Sequence, residues 1–346
     1  MLHKFFSMFL HVSRTTRLVV GSIAWLLLIS ALHFSLNFEN TERRVIKMGY
    51  MPVITNLAAP ILDHVSKEGD GIRYKALKFA SFAEMAESLR NGEIDVAFMI
   101  APLSIVLRQQ GEDVKIVYIG NRHESTLVAR KDLKAKNLHD LIGKTIAVPM
   151  RYSGHNISIL DLIENENLTG QINVVEMNPP DMAAALASGS LDAYYVGEPF
   201  AAQTLMSGHS ERVFYVEEVW DKFICNLAVV RNDLIQNEPK VVQNIVSAAS
   251  RSGKWASKKP KEAIKIASKY WNQPVKLLEY AFGTPKNRIL YNTYIPKESE
   301  MKEMAELMKK YKLLEQTNID GLVDDRFAKT AKEDIENVTD IKSILK

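Results

Sequence analysis

Two stretches decide the fold: Glu84-Met-Ala-Glu-Ser-Leu-Arg-Asn-Gly-Glu-Ile-Asp95 and Asp181-Met-Ala-Ala-Ala-Leu-Ala-Ser-Gly-Ser-Leu-Asp192. They match at a constant offset of 97, through Met85/Met182, Leu89/Leu186, Gly92/Gly189, Asp95/Asp192, Pro102/Pro199 and Gly111/Gly208. One offset held from residue 85 to 111 implies two copies of one supersecondary unit. Within each copy the apolar pair four residues apart marks one face of a helix. Gly92 and Gly189 stand where such a helix needs a left-handed stop, and the Asp after each opens a strand.

Working outward, both copies read as strand, helix, strand, helix, strand. The first strands are Val45–Met48 and Thr145–Val148, and the first helices run from about Thr55 to Ser66 and from His155 to Asn165. The second strands are Tyr74–Phe79 and Ile172–Glu176. Pro102 and Pro199 fall in the first turn of the helices that follow the third strands, where a missing N–H costs nothing. This is the pattern of a doubly wound α/β lobe with a mainly parallel sheet. A second pair, Leu127–Leu133 and Ala228–Leu234, is shifted by 101 and reads as two crossover strands between lobes. The predicted division is residues 45–129 plus 231–346 for lobe one and 130–230 for lobe two. The tail reads as helices over 241–251, 261–270, 275–282 and 299–314, the last with Ser299 as its cap. Two such lobes leave a cleft at their strand C-termini, where open α/β sheets take ligands, and hinge bending at the crossings closes it.

Composition sets the class. With 47% apolar and 25% charged residues the chain is globular, and 346 residues allow two domains. Residues 1–37 carry Lys4, Arg14 and Arg17 and no acid, which accounts for the whole net charge of +3. The remainder is neutral and has no bias toward nucleic acid. Leu18–Leu36 is apolar, follows the positive residues and precedes Glu39 and Glu42. Residues 1–37 are therefore expected to be a signal peptide or an N-terminal membrane anchor, leaving the body outside the cytoplasm, in the periplasm or on the outer face of the membrane. Cys225 is the only cysteine, so no internal disulfide forms; it reads as a small buried hydrophobe. Neither a metal site nor a cofactor is expected.

Met48–Asn56 (MGYMPVITN), Asn91–Leu103 (NGEIDVAFMIAPL), Gly143–Asn156 (GKTIAVPMRYSGHN), Asn178–Phe200 (NPPDMAAALASGSLDAYYVGEPF) and Gly321–Lys329 (GLVDDRFAK) together resemble the nitrate/sulfonate/bicarbonate-type substrate-binding proteins of ABC transporters. The thiamine-pyrimidine-precursor binding proteins are similar. The resemblance covers about residues 45–330. It implies a two-lobed periplasmic-binding-protein type II fold and a monomer that hands a small solute to an ABC permease and, through it, to the ATPase. It also implies pocket roles for Gly154, His155, Gly197 and Glu198. Nitrate-type members place a Lys where this chain has Asn226, after Trp220, which removes the cation suited to a bare anion.

The residues themselves suggest the same cleft. Thr55 and Asn56 open the first helix of one lobe, and Ser153, Gly154 and His155 open its counterpart. Helix N-termini suit carboxylate, sulfonate or phosphonate groups, although Thr, Asn and Ser also cap helices without any ligand. His155 is a donor to an anion, better when protonated. Glu198, expected opposite Met99, Ile100 and Ala101, favours a ligand with an N–H or ammonium. Tyr50, Tyr152 and Tyr195 are candidate walls for a ring. Gly143-Lys144-Thr145 lacks the rest of a phosphate loop. Two other readings remain: an enzyme on the same fold, of the pyrimidine-precursor or menaquinone biosynthesis type, and a membrane-tethered ligand sensor.

Overall fold

The structure is a computed structural model that describes residues 13–37, 43–332 and 338–345. Residues 1–12 of the expected leader, its acidic flank Glu39 and Glu42, and residues 333–337 and 346 of the tail lie outside the described residues. The chain divides into two units, one ending at Arg44 and one from Val45 onward. The first holds helix α1, Arg14–Asn37, which starts four residues before the apolar run. Its segment Arg14–Ser35 is long and apolar enough to cross a membrane, with a mean hydropathy of 2.0 and none of it buried.

The second unit contains two five-stranded sheets. In chain order its first elements are β1 (Val45–Tyr50), α2 (Ala58–Ser66), β2 (Arg73–Lys78), α3 (Phe82–Arg90), β3 (Val96–Ile100), α4 (Ala101–Gln109) and β4 (Val114–Ile119). The second copy follows as β5 (Ser125–Arg130), β6 (Thr145–Val148), α5 (Gly154–Asn165), β7 (Asn173–Glu176), α6 (Pro179–Ala187), β8 (Ala193–Gly197), α7 (Phe200–Met206) and β9 (Ser210–Tyr215). Then come β10 (Asn226–Arg231), α8 (Asn232–Asn237), α9 (Pro239–Lys258), α10 (Pro260–Trp271), α11 (Val275–Gly283), α12 (Glu298–Lys310) and α13 (Arg326–Ala331).

The sheet orders are β2-β1-β3-β10-β4 and β7-β6-β8-β5-β9, so each lobe repeats the same winding. β1 is parallel to β2 and β3, and β6 is parallel to β7 and β8. Each sheet admits one antiparallel strand from the other copy: β10 lies between β3 and β4, and β5 between β8 and β9. This shifts the expected lobe boundaries. β5, grouped by sequence with lobe one, pairs in the second sheet, and β10, grouped with lobe two, pairs in the first. The crossings are thus residues 120–124 and 216–225, ahead of the strands. A strand belongs to the sheet that satisfies its N–H and C=O groups.

The repeat has a mechanical reason. Asp95 Oδ2 accepts the Lys47 N–H at 2.8 Å, and Asp192 Oδ2 accepts the Thr145 N–H at 2.9 Å. Each aspartate therefore ties the start of the third strand to the start of the first. Gly92 and Gly189, at φ 73° and 78°, end α3 and α6. The arginine closing each crossover strand packs on that turn: Arg231 Nη1 donates to Leu89 O and Ile94 O, and Arg130 Nη1 to Gly189 O. β3 and β8 are buried at every residue, as expected of strands covered on both faces.

The tail belongs to this unit. Met301, Met304 and Met308 of α12 are fully buried, each contributing about 1.5–3 kcal/mol. The α12 cap is Lys297 rather than the expected Ser299, which lies inside the helix, and the helix ends at Lys310 rather than 314. Lys310 and Tyr311 then reach Asp161 and Glu164 of α5, at 2.7–3.0 Å. Between α11 and α12 the chain runs along the first crossing. Arg122 and Leu290 exchange backbone hydrogen bonds of 3.1 and 3.2 Å, and Ile119 N–H donates to Tyr294 O at 2.9 Å. The Arg122 guanidinium fastens this region to the second crossing through Lys222 O and to α12 through Glu300, at 2.5 and 2.9 Å.

Candidate functional site

The C-terminal ends of β1, β3, β6 and β8 and the starts of β5 and β10 converge between the two sheets. The turn Ile54–Asn56, a 3-10 turn and not yet α-helix, precedes α2 there, and Ile54 N–H donates to Glu198 O at 3.0 Å. Glu198 therefore meets Ile54 rather than Met99–Ala101. Met99, Ile100 and Ala101 are buried in the sheet and core, and the Ala101 N–H is taken by Cys225 O at 3.0 Å.

Several expected ligand groups already have structural partners. Ser153 caps α5 by accepting the Asn156 N–H at 3.1 Å. Asn56 donates to Met51 O and Phe98 O and accepts from Asn226 Nδ2 at 2.8 Å, so the two amides staple β10 to the turn before α2. Gly154 makes room for Phe223, whose ring would lie 2.8 Å from a Cβ there. Tyr50 does not join the cluster. Its hydroxyl donates to Tyr270 O in the core beside α10. Tyr152 is half-buried and packs against the core. Pro199 caps α7 and does not lie in its first turn.

What the structure does bring together is a buried polar cluster built on Glu198 and His155. His155 is 1% exposed, and its Nε2 pairs with Ser125 Oγ at 2.8 Å. Its ring packs edge-on against Tyr195 and Phe223 at centroid distances of 5.0 and 5.3 Å. Burial lowers its pKa to about 3, which disfavours the charged form, so His155 acts here as a neutral hydrogen-bonding group. Glu198 accepts from Thr126 Oγ1 at 3.1 Å and from the Ala202 N–H at 2.9 Å, the second a helix-start bond at α7.

Ser125 and Thr126 were not identified from the sequence, nor were four further residues of the cluster. Glu124, in the first crossing, is fully buried and accepts the Glu198 N–H at 2.7 Å. Its carboxylate lies against Gly197, where a Cβ would come 2.7 Å from both oxygens, which is why a glycine precedes Glu198. Arg288, from the tail, reaches into the second sheet. Its guanidinium donates to Glu217 at 2.7 Å, to Thr126 Oγ1 at 3.0 Å and to Ser125 O, and stacks 4.1 Å over the Tyr215 ring. Asn121 and Tyr291 complete the hinge side. A buried Arg–Glu contact between segments far apart in sequence leaves no local spacing to detect.

Burial raises both glutamates, opposed by the Arg288 charge, and Glu124 and Glu198 each reach about 7. Burial also pushes the Cys225 thiol up, and it donates to Asn226 Oδ1 at 3.3 Å. Around this core, the Thr55 hydroxyl, the Asn121 amide, His155 Nδ1 and the hydroxyls of Tyr195 and Tyr291 are buried without a well-formed hydrogen bond. The Tyr291 hydroxyl lies beside Asn121, Tyr195 beside Ser158, and Thr55 beside the Cys225 thiol. Native interiors seldom leave so many polar atoms unsatisfied in one place. Among the described residues no group of three or more His, Cys, Asp or Glu is placed to hold a metal ion.

Known proteins resemble this chain in sequence and fold. A taurine-binding periplasmic protein of Escherichia coli is 28% identical over 178 residues, covering 50% of this chain and 54% of that one. The chain thus spans about half the length of that relative. A protein of Bacillus subtilis named for binding aliphatic sulfonates is 22% identical over 274 residues, covering 77% of this chain and 81% of that one. The periplasmic nitrate-binding protein of Synechocystis superposes with a TM-score of 0.75 at 15% identity, covering 85% of this chain and 90% of that one, a likeness of fold. The sequence model of the NMT1-like family matches residues 39–270 of the 346, and the chain belongs to that family.

Proposed function

We propose that the chain is the extracytoplasmic solute-binding component of an ABC-type importer. It captures a small solute between its two sheets and delivers it to a permease coupled to an ATPase, without chemical turnover. The observation that carries this reading is the unsatisfied polar cluster of Thr55, Asn121 and His155 beside Glu124 and Glu198, at the meeting point of both sheets' C-terminal ends. Open α/β sheets take ligands at that position. The names of the relatives, which bind taurine, aliphatic sulfonates and nitrate, support it. In this reading α1 is the export signal or the anchor, the crossings at 120–124 and 216–225 are the hinge, and release requires the Ile54–Glu198 bond to open.

The test is a thermal-shift screen of the detergent-purified chain against taurine, ethanesulfonate, nitrate, bicarbonate and a thiamine-pyrimidine precursor. A solute at 100 times its Kd stabilises by about 2.7 kcal/mol, a shift of a few degrees at this size. The bound solute should be recovered unchanged by mass spectrometry. Recovery of a converted product would favour the enzyme reading, and unimpaired solute uptake in a strain lacking the protein would remove the transport role.

A further inference from the structure

We infer that the solute held at this site carries a cationic nitrogen, an ammonium, amidinium or protonated ring nitrogen, bound between the carboxylates of Glu124 and Glu198. The inference rests on the receptor reading and specifies its ligand class. It follows from the charges that surround the two acids. β5 contributes Ser125 and Thr126, both neutral. The start of β10 contributes Cys225, held as a thiol, and Asn226. The start of α5 contributes His155, held neutral by burial. Tyr194, Tyr195, Tyr215, Tyr280 and Tyr291 are phenols raised above their ordinary range. The cation that acts most strongly on both glutamates is Arg288.

Arg288 is not available to neutralise both. Its Nε is paired to Glu217 at 2.7 Å, and it meets Glu198 through Thr126, whose hydroxyl accepts from Arg288 at 3.0 Å and donates to Glu198 at 3.1 Å. Three carboxylates thus share one guanidinium. Glu124 and Glu198 are 0% and 3% exposed, so water does not screen the excess. Buried carboxylates in this position need a cation or a proton. In the unliganded protein a retained proton serves, consistent with both acids being raised to about 7. A cationic nitrogen replaces that proton and supplies N–H donors to the carboxylates and to the unpartnered Asn121 Oδ1. A bare inorganic anion would instead meet two acids, a neutral imidazole and, at the expected lysine position, Asn226, whose amide already donates to Asn56.

The experiment is isothermal titration of the full chain with taurine, ethylammonium, ethanesulfonate and nitrate in phosphate at pH 6.5. A parallel titration in weakly buffered solution at the same pH counts the protons released or taken up directly. The expected result is that taurine or ethylammonium binds at least tenfold tighter than ethanesulfonate and nitrate, with proton release. Glu124→Gln and Glu198→Gln should each weaken that binding at least tenfold. Tighter binding of nitrate or ethanesulfonate with proton uptake, the glutamic acids then serving as donors to an anion, overturns the ligand class and leaves the receptor reading standing. If none of the four binds, the ligand class is overturned, and the receptor reading falls only if no solute of the thermal-shift screen binds either. The proton count is measured on the wild-type protein, so it holds even where a variant fails to fold.

Discussion

Ile54 N–H and Glu198 O are 3.0 Å apart, a hydrogen bond that joins the turn after β1 in one sheet to the segment after β8 in the other. The two segments that sequence placed on opposite walls of a cleft are in direct backbone contact, so the structure is a closed arrangement. Arg288 and the Lys310–Tyr311 pair bridge the same halves further out.

Ile54→Pro tests the contact with little disturbance of the backbone. Ile54 is the first residue of its turn, and Val53 is already extended at φ −123°, ψ 155°, which the residue before a proline requires. The variant loses the bond to Glu198 and part of a buried side chain, a cost of about 1–3 kcal/mol. It should fold and show a larger radius of gyration by solution scattering, and a saturating solute should reduce the difference. An unchanged radius would mean that the bond does not hold the halves together.

Gly197→Ala and Gly120→Ala should both be harmful, for different reasons. At 197 the new Cβ lies 2.7 Å from both Glu124 oxygens, and at 120 it lies 1.8 Å from Thr55 O. A side-chain carboxylate can move and a backbone carbonyl cannot, so Gly197→Ala should cost about 1–3 kcal/mol and Gly120→Ala more. Gly71→Ala, with no atom within 4 Å, is the control. Denaturant midpoints compare the three. Equal midpoints would contradict the close approaches.

His155 should titrate far below the ordinary range, from 6.5 to about 3. Between these values the unfolded chain takes up the proton and the folded chain does not. Its contribution to stability is therefore complete above pH 6.5 and is lost as pH falls toward 3. The imidazole resonances of His155 by NMR should stay neutral at pH 5, and His155→Gln should flatten the acid limb of the stability profile. A histidine found charged at pH 6 in the folded protein would refute the assignment.

Glu124 and Glu198 act with the opposite sign over an overlapping range. Their folded pKa values of about 7 exceed the ordinary 4.5, so between pH 4.5 and 7 the folded state binds more protons. Stability from these groups is greatest below pH 4.5 and declines as pH rises through 7. Glu198→Gln, which keeps an acceptor for the Ala202 N–H, should raise the unliganded melting temperature at pH 8 by a few degrees and change it little at pH 4.5. Arg288→Met should do the reverse, destabilising by about 3 kcal/mol with the loss growing toward high pH. A Glu198→Gln effect independent of pH would show that the carboxylate is not the group being relieved.

The sequence by itself determined the winding of both lobes. An apolar pair four residues apart, a glycine at the helix stop and an aspartate opening a strand are local features, and the structure shows each making the same bonds in both copies. It also determined that two crossover strands lie about 100 residues apart, because β5 and β10 share a pattern, and that His155 stands in the first turn of its helix. Only tertiary structure decided which sheet each crossover strand joins, since an antiparallel strand inserted between two others depends on backbone partners far away in the chain. It also decided the charge of the site. Glu124 sits beside a half-buried His123 in a stretch with no recognisable spacing, and Arg288 lies 162 residues from its partner Thr126. Burial, which no local pattern records, made the histidine neutral and raised the two acids.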